Sequence, residues 1–450
     1  MRWLVPLVAV LVLASPAWAA DLEPEAYAEL AAELVFGTPA AANETLRLLV
    51  ARGDADAAAT LIMAMRFGRP VDDAALDSAL EDLTGAGVDG WFDWMLWQQR
   101  SDQRPHAGHA LFQDHVWQAI DPRFAEFFPP DAEALIRREE IVWGGVRVDG
   151  IPALTNPTLI AARDAGYLTD ADLVFGVSIA GDARAYPLRI VNWHEMVNDV
   201  VGGRPVSLAY CTLCGAGIVF ATDVPGREPL VFGSSGLLYR SNKLMYDTAT
   251  KSLWNQFTGR PVLGDLVGSD LELEILPVTL TTWGEWRQLE PTTRVLDDDT
   301  GFVRDYGPGA AYGAYFASPE LMFPALLDDA RLSVKDQIFG VRAPGGAKAW
   351  ALELFEGGAV VNDTVGLWEV ALVGDAATRT VRAYRREPGE TFEAMDGELR
   401  RNDDVVFALT ETQLVGTNGA TRARVPGHVA YWFAWAGYLG AGTDLRSGAD

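Results

Sequence analysis

Apolar residues recur every three or four positions through the first quarter of the chain, from about Asp21 to Phe128. Segments such as NETLRLLVARG and DADAAATLIMAMRFG are rich in alanine and leucine and stop at glycine. This spacing places apolar side chains on one face of a helix, and glycine commonly ends a helix. The pattern therefore predicts short antiparallel helical hairpins, which form an all-α domain at residues 20–140.

Beyond Ile141 the pattern changes to valine-rich runs separated by glycine turns, as in DLVFGVSIAGDARAYPL and PVSLAYC. Such runs are typical of β-strands, and helical punctuation largely disappears. The sequence therefore predicts an α+β multidomain protein, in which the N-terminal all-α domain is followed by a β-rich domain.

Two segments of the β-rich part resemble each other in sequence. When residues 175–202 are set against the residues 164 positions later, 12 of 28 positions are identical, and they include Val197-Asn198-Asp199 with Val361-Asn362-Asp363. Self-similarity at a fixed offset indicates repeated structural units. We expect an internally duplicated domain, with a first repeat at residues 141–300 and a degenerate second repeat at residues 301–450.

The first 19 residues have the composition of a signal peptide. One arginine is followed by an apolar run, and the stretch ends in Ala17-Trp18-Ala19, which is the small-x-small pattern of a cleavage site. No later stretch reaches the roughly 18 apolar residues of a membrane crossing. We expect residues 1–19 to be removed and the mature protein to be periplasmic or extracellular, without a transmembrane segment.

The chain carries a formal net charge of −26, with 62 acidic and 36 basic residues. Such a charge repels a phosphate backbone, so nucleic acid is not expected as a partner. The acidic surface and the helical domain could instead dock another protein. A non-catalytic module that binds a partner is therefore one of the functions that the sequence allows.

The only two cysteines, Cys211 and Cys214, have two residues between them in the first repeat, and His194 precedes them. The second repeat has no cysteine, and Gly358 stands opposite His194. Since the second copy folds without these residues, their presence in one copy favours a functional site over a framework role.

A metal site is the first interpretation of the pair. Two thiolates at this spacing can hold one ion, and sulfur ligands favour copper or zinc. His194 is the expected third ligand and Met245 the thioether candidate for a fourth, which would favour copper. Glu195 could orient the histidine or accept a proton, and Tyr239 could complete the surroundings of the ion.

A thiol-disulfide redox pair formed by Cys211 and Cys214 is the alternative. The pair leaves a strand and no helix signal follows it, so a thioredoxin-like arrangement is not expected. A purely structural disulfide would close a very small loop and would stabilise the fold little. No serine-histidine-aspartate order, phosphate loop or dinucleotide fingerprint is present, so the sequence does not decide whether the protein is an enzyme.

Several segments also resemble a known family. NWHEMVND, YCTLCG, GLLYRSNKLMYD and TTWGEW are similar to the signature segments of an exported bacterial and archaeal family, a domain of unknown function marked by a Tyr-Cys-x-Leu-Cys-Gly core. The resemblance is strong from about Ile141 to Leu296 and weaker in the second half. It implies no established activity, so the mechanism must come from the residues themselves.

Overall fold

The structure is a computed structural model that describes residues 22–68, 70–129, 132–440 and 443–448. The chain divides into two compact units, with the boundary between Ile120 and Asp121. The predicted signal peptide lies outside the described residues. Within the described part of the chain, no helix combines the length and the apolar character that a membrane crossing requires.

The described part of the first unit is helical, as the three- and four-residue spacing predicted. Capping residues mark the ends of the helix Pro39–Arg52. The Thr38 hydroxyl accepts a hydrogen bond from the Ala41 N–H at 3.2 Å at its start, and Gly53, with a φ of 70°, follows its last residue. Tyr27 and Trp94 are fully buried in the core of this unit. The helices are α1 (Pro24–Phe36), α2 (Pro39–Arg52), α3 (Ala58–Phe67), α4 (Asp73–Thr84), α5 (Gly90–Arg100) and α6 (His109–Ile120).

The second unit is β-rich. The strands of its first half are β1 (Ile141–Trp143), β2 (Leu154–Thr155), β3 (Leu159–Ala161), β4 (Leu173–Ile179), β5 (Asp182–Pro187), β6 (Met196–Val201), β7 (Arg204–Cys211), β8 (Ala216–Ala221), β9 (Phe232–Tyr239), β10 (Asn242–Asp247), β11 (Leu253–Asn255), β12 (Arg260–Leu263), β13 (Ile275–Leu276), β14 (Thr279–Thr282) and β15 (Arg294–Leu296). The order of helices followed by strands confirms a mixed α+β protein.

The later strands of the second unit are β16 (Gln337–Ala343), β17 (Gly346–Ala351), β18 (Ala359–Val365), β19 (Trp368–Asp375), β20 (Thr380–Arg385), β21 (Phe392–Met395), β22 (Glu398–Arg401), β23 (Val406–Leu409), β24 (Gln413–Gly416), β25 (Thr421–Val425), β26 (His428–Tyr431) and β27 (Asp444–Arg446). Short helices interrupt the strands of this unit: α7 (Leu188–His194), α8 (Trp283–Leu289), α9 (Gly313–Ala317) and α10 (Trp432–Leu439).

The strands form sheets with the orders β1-β9-β10-β11-β12, β13-β8-β7-β6-β2, β14-β4-β5-β15-β3, β26-β16-β17-β27 and β18-β19-β20-β25-β24-β23-β22-β21. The last sheet is nearly closed into a barrel. Its edge strands β18 and β21 meet where the Asn362 amide donates to the Phe392 carbonyl at 2.7 Å and accepts from the Phe392 N–H at 2.8 Å. A side-chain amide can replace a strand neighbour in this way because it carries both a donor and an acceptor.

An equivalent pair of hydrogen bonds joins two sheets in the first half of the second unit. The Asn198 amide donates to the Phe232 carbonyl at 2.9 Å and accepts from the Phe232 N–H at 3.0 Å, which ties β6 to β9. The sheet that carries the cysteines is thereby held against the sheet that contains β10. One hydrophobic core draws on both halves, with buried Phe175 and Tyr210 from the first and buried Trp350 from the second.

Glycines allow two tryptophans to lie directly on the sheets. A Cβ atom at Gly176 of β4 would overlap the indole ring of Trp286 in α8, and one at Gly340 of β16 would overlap the ring of Trp435 in α10. Both tryptophans are fully buried. The close approach explains why residues without a side chain stand in the middle of these strands.

Candidate functional site: a buried cysteine pair

The two cysteines lie at either end of the tight turn that joins β7 to β8. Cys211 is the last residue of β7 and pairs with Ala216 of β8, while the Cys214 N–H donates to the Cys211 carbonyl at 3.2 Å. Gly215 closes the turn with a φ of 58°, a conformation that suits glycine. The turn brings the two sulfur atoms to 2.7 Å from each other, and both residues are buried.

A second turn, between β9 and β10, surrounds the sulfurs. Arg240 and Ser241 both adopt the left-handed conformation, with φ values of 46° and 63°. A two-residue hairpin loop with both central residues at positive φ is normally built from asparagine or glycine, so this backbone is strained. The loop directs the Ser241 carbonyl toward the sulfurs, 3.6 Å from Cys214 Sγ and 4.0 Å from Cys211 Sγ.

Asn242, the first residue of β10, donates a hydrogen bond from its amide to Cys214 Sγ at 3.2 Å. The same amide nitrogen donates to the Gln256 side chain at 2.9 Å, and Gln256 in turn donates to the Ala209 carbonyl at 2.8 Å. All of these side chains are buried. Polar groups in such a site need fixed partners, so this chain of hydrogen bonds holds the sulfur pair in one geometry.

The two thiols differ in acidity. Burial acts to raise the pKa of Cys211, but hydrogen bonds from the Cys214 thiol and from the Lys243 and Cys214 N–H groups outweigh it, so its pKa lies below the ordinary value. Burial and the hydrogen bond to Cys211 raise the pKa of Cys214 well above the ordinary value. Cys211 is therefore the more acidic thiol of the pair, and Cys214 holds its proton more tightly.

A small cavity of about 40 Å³ adjoins Cys211. Its polar lining includes Glu195, Thr212 and Lys243, and the lysine ammonium lies 3.2 Å from a Glu195 carboxylate oxygen. The Thr212 hydroxyl donates to the other carboxylate oxygen at 2.9 Å. Burial lowers the pKa of Lys243, although Glu195 and the two cysteines oppose this effect.

Glu195 reaches the cavity because of an unusual backbone conformation. It follows the last residue of α7 and has a φ of 54°, and its N–H donates to the Val191 carbonyl at 2.7 Å. Its own carbonyl accepts from the Tyr210 N–H at 2.7 Å, which fixes the helix end beside β7. A left-handed residue at a helix end is commonly glycine, so this conformation carries backbone strain at Glu195.

His194 is buried, but both of its ring nitrogens are occupied by groups other than the sulfurs. Nδ1 lies 2.8 Å from the Pro152 carbonyl and Nε2 lies 2.6 Å from the Tyr306 hydroxyl. Burial lowers the pKa of the imidazole, so it is neutral near pH 7. Among the described residues, no group of three or more histidine, cysteine, aspartate or glutamate side chains is placed to hold a metal ion.

The remaining predicted site residues lie in other surroundings. Met245 is fully buried in β10, opposite Ser234 of β9 and Trp254 of β11. Tyr239 ends β9, and burial, together with the interaction of its hydroxyl with Glu140, raises the pKa of Tyr239 to about 12. Of the predicted site residues, Cys211 and Glu195 line the cavity, and the sulfur of Cys214 lies beside that of Cys211.

Sequence reasoning missed several residues that complete the site: Thr212, Asn242, Lys243 and Tyr312. One signal was present. Asn242 and Lys243 are polar residues at the start of the strand NKLMYD, whose residues are all buried. A buried lysine needs a charged partner, so it could have pointed to a site.

The sequence profile of a family described as "Protein of unknown function (DUF3179)" matches residues 148–441. No curated protein and no solved structure matches the chain significantly. The matched residues include the cysteine turn, the Glu195–Lys243 pair and both halves of the β-rich unit. Since the match extends over more than half of the 450 residues, the chain belongs to the DUF3179 family.

Proposed function

We propose that the protein is a thiol-disulfide redox protein in which Cys211 and Cys214 are the redox pair. The observation that carries this proposal is the 2.7 Å separation of two buried sulfur atoms. Oxidation would join the sulfurs in a disulfide and release two electrons and two protons. The reverse reaction restores the thiols. Because the sulfurs are already adjacent, the cycle requires little movement of the chain.

The difference in acidity assigns roles to the two cysteines. Cys211, with the lower pKa, is the nucleophile that meets the oxidant, and Cys214 is the thiol that resolves the oxidised sulfur into a disulfide. The Asn242 amide supports this arrangement, since it donates a hydrogen bond to Cys214 Sγ and holds that sulfur in place.

The proposal includes an internal duplication in which only the first copy carries the site. Matched contacts support it: Asn198 and Asn362 make the same pair of hydrogen bonds to a phenylalanine backbone, and Gly176 and Gly340 each lie against a tryptophan. The second copy, without cysteines, would then be structural.

The proposal also places the protein outside the cytoplasm. The apolar run and the Ala17-Trp18-Ala19 pattern support cleavage and export. Exported proteins are in an oxidising environment, in which a cysteine pair can form a disulfide that the reducing cytosol would disfavour. A reversible pair in that compartment requires a reductant, and a thiol would reach the buried pair only through local opening.

Redox equilibration tests the proposal. Purified protein is held for many hours in buffers with increasing ratios of oxidised to reduced dithiothreitol, so that local opening exposes the buried pair. The free thiols are then alkylated and counted by mass spectrometry. We expect one transition in which both thiols disappear together. The variants Cys211→Ser and Cys214→Ser should show no such transition. A wild-type pair that stays reduced both at every ratio and after treatment with hydrogen peroxide would rule the proposal out.

A bound copper or zinc ion is the second candidate function, favoured by the convergence of two sulfur ligands on one point. The predicted ligand His194 would have to exchange its hydrogen bonds with Pro152 and Tyr306 for a metal bond. Metal analysis of protein purified without chelator tests this candidate. One equivalent of metal in the wild type and none in Cys211→Ser/Cys214→Ser would support it, whereas equal metal in both would contradict it.

A further inference from the structure

The cavity beside Cys211 limits what can react with the pair. Its volume of about 40 Å³ is enough for a few water-sized groups, since one water needs roughly 10–15 Å³ by this kind of measure. Cys211 is 1% exposed and Cys214 is 0% exposed. A protein disulfide or a glutathione molecule could not bring a sulfur atom into line with Cys211 in this closed conformation.

The cavity walls combine apolar and charged groups. Ile151, Leu237 and Phe323 are among the apolar side chains that line it, and Met322, which is 49% exposed, lies on the solvent side. The charged part consists of the Lys243 ammonium and the Glu195 carboxylate. A small polar molecule that needs a proton during its reaction suits such a cavity better than an apolar one.

The ammonium of Lys243 is available for that proton transfer. It is almost fully buried, and its ion pair with Glu195 leaves its hydrogen-bonding capacity unfilled among the described residues. A buried ammonium that is not fully hydrogen-bonded stabilises negative charge that develops beside it. Lys243 and Cys211 line the same small cavity, so the ammonium lies close to the place where such charge would form.

We infer that the oxidant of the Cys211–Cys214 pair is a small peroxide, with hydrogen peroxide as its simplest member, and that Lys243 donates a proton to the departing oxygen. The inference rests on the proposed redox function and adds the substrate class. It assigns the cavity as the peroxide site and Glu195 as the residue that positions Lys243.

The reaction balances in two steps. The Cys211 thiolate attacks one peroxide oxygen and the O–O bond breaks, which gives a sulfenic acid on Cys211 and water once Lys243 has donated its proton. The Cys214 thiol then attacks the Cys211 sulfur, which forms the disulfide and releases a second water. Solvent returns the proton to Lys243. The two electrons that the sulfur pair gives up reduce one peroxide to two waters.

The test compares rates of thiol loss in reduced protein. With hydrogen peroxide we expect a rate at least about 100-fold above that of N-acetylcysteine at the same pH, as general acid catalysis can supply. With tert-butyl hydroperoxide the protein should react no faster than N-acetylcysteine, because the cavity excludes the tert-butyl group. A rate with hydrogen peroxide no higher than that of N-acetylcysteine would overturn the inference.

Failure of the inference and failure of the proposed function give different results. If the pair forms a disulfide in dithiothreitol buffers but reacts with hydrogen peroxide no faster than N-acetylcysteine, the redox function stands and the peroxide class is wrong. If no disulfide forms under either condition, the redox function itself is wrong.

Two sets of variants test the roles of the cavity residues. Lys243→Met combined with Glu195→Gln removes both charges, and it should lower the rate with hydrogen peroxide about 100-fold. The reaction with oxidised dithiothreitol occurs through local opening and needs no proton from Lys243, so its rate should fall much less. If both rates fall by the same factor, the Lys243–Glu195 pair is only structural. Met322→Ala should raise the rate with tert-butyl hydroperoxide at least about tenfold, whereas Met395→Ala, at another half-exposed methionine, should not. If Met322→Ala reacts with tert-butyl hydroperoxide at the wild-type rate, the peroxide does not enter the cavity past Met322.

Discussion

The ammonium nitrogen of Lys243 lies 3.2 Å from a carboxylate oxygen of Glu195, and both side chains are almost completely buried beside Cys211. A buried ion pair carries a large desolvation cost, so it is weak evidence for a purely stabilising role. Here the glutamate also has a strained backbone. The cost in stability is consistent with a site that functions through these charges.

Removal of one partner of this pair should be strongly destabilising. Lys243→Ala or Glu195→Ala leaves an unpaired buried charge, and we expect each to lower the free energy of unfolding by about 3–5 kcal/mol. Urea unfolding followed by tryptophan fluorescence measures the change. Glu272→Ala, which breaks the exposed Arg260–Glu272 pair, is the control and should cost at most about 1 kcal/mol. If the buried and the exposed variants lower the free energy of unfolding equally, Lys243 and Glu195 do not form a buried ion pair.

Gly176→Ala should destabilise the second unit because the new methyl group would overlap the Trp286 ring. Overpacking of this kind typically costs about 1–3 kcal/mol. Gly340→Ala should behave similarly, since it meets Trp435. Gly166→Ala is the matched control, because no atom lies within 4 Å of the position that its new methyl group would take, and its stability should stay near that of the wild type. Thermal unfolding of all the variants distinguishes these outcomes.

Asn198→Asp should weaken the connection between β6 and β9. The substitution keeps an acceptor for the Phe232 N–H but replaces the donor to the Phe232 carbonyl with a negatively charged oxygen. We expect a loss of about 1–3 kcal/mol from the unsatisfied buried carbonyl. Asn362→Asp should weaken the barrel closure to a similar extent, and hydrogen exchange at Phe232 and Phe392 would report each effect separately. No increase in exchange at either amide would disprove the prediction.

Acid should destabilise the protein through His428. Burial, reinforced by Arg342, lowers the pKa of this histidine to about 3, while its unfolded value is near 6.5. Between these values the unfolded chain binds a proton that the folded chain does not, so the free energy of unfolding falls as the pH falls. The loss is about 1.4 kcal/mol per pH unit, or roughly 2 kcal/mol between pH 6.5 and pH 5.

His428→Gln removes this contribution, so its stability should depend less on pH over the same range. Urea unfolding at pH 6.5 and pH 5 measures the difference. His115→Gln, at an exposed histidine of α6, is the matched control. If wild type and His428→Gln lose the same stability between these two pH values, the histidine does not titrate as stated.

The location of the cysteine site was predictable in part. The absence of cysteines from the second half pointed to Cys211 and Cys214, and the helix-to-strand change near Ile141 predicted the α+β order that the structure confirms. The mutual arrangement of His194, Met245 and Tyr239 was not predictable. Adjacent residues can point in opposite directions, so Glu195 reaches the cavity while the neighbouring His194 bonds to Pro152 and Tyr306.

By itself the sequence determined the local features: the helical periodicity, the valine-rich strands, the two residues between the cysteines, and the glycines at positions 176 and 340. These follow from short-range sterics and from the pattern of apolar residues, which a single segment contains. Only the tertiary structure decided that a lysine 48 positions after Glu195 becomes its partner. That pairing depends on how β6, β7, β9 and β10 assemble, because burial makes a charge costly until a partner from a distant segment lies beside it.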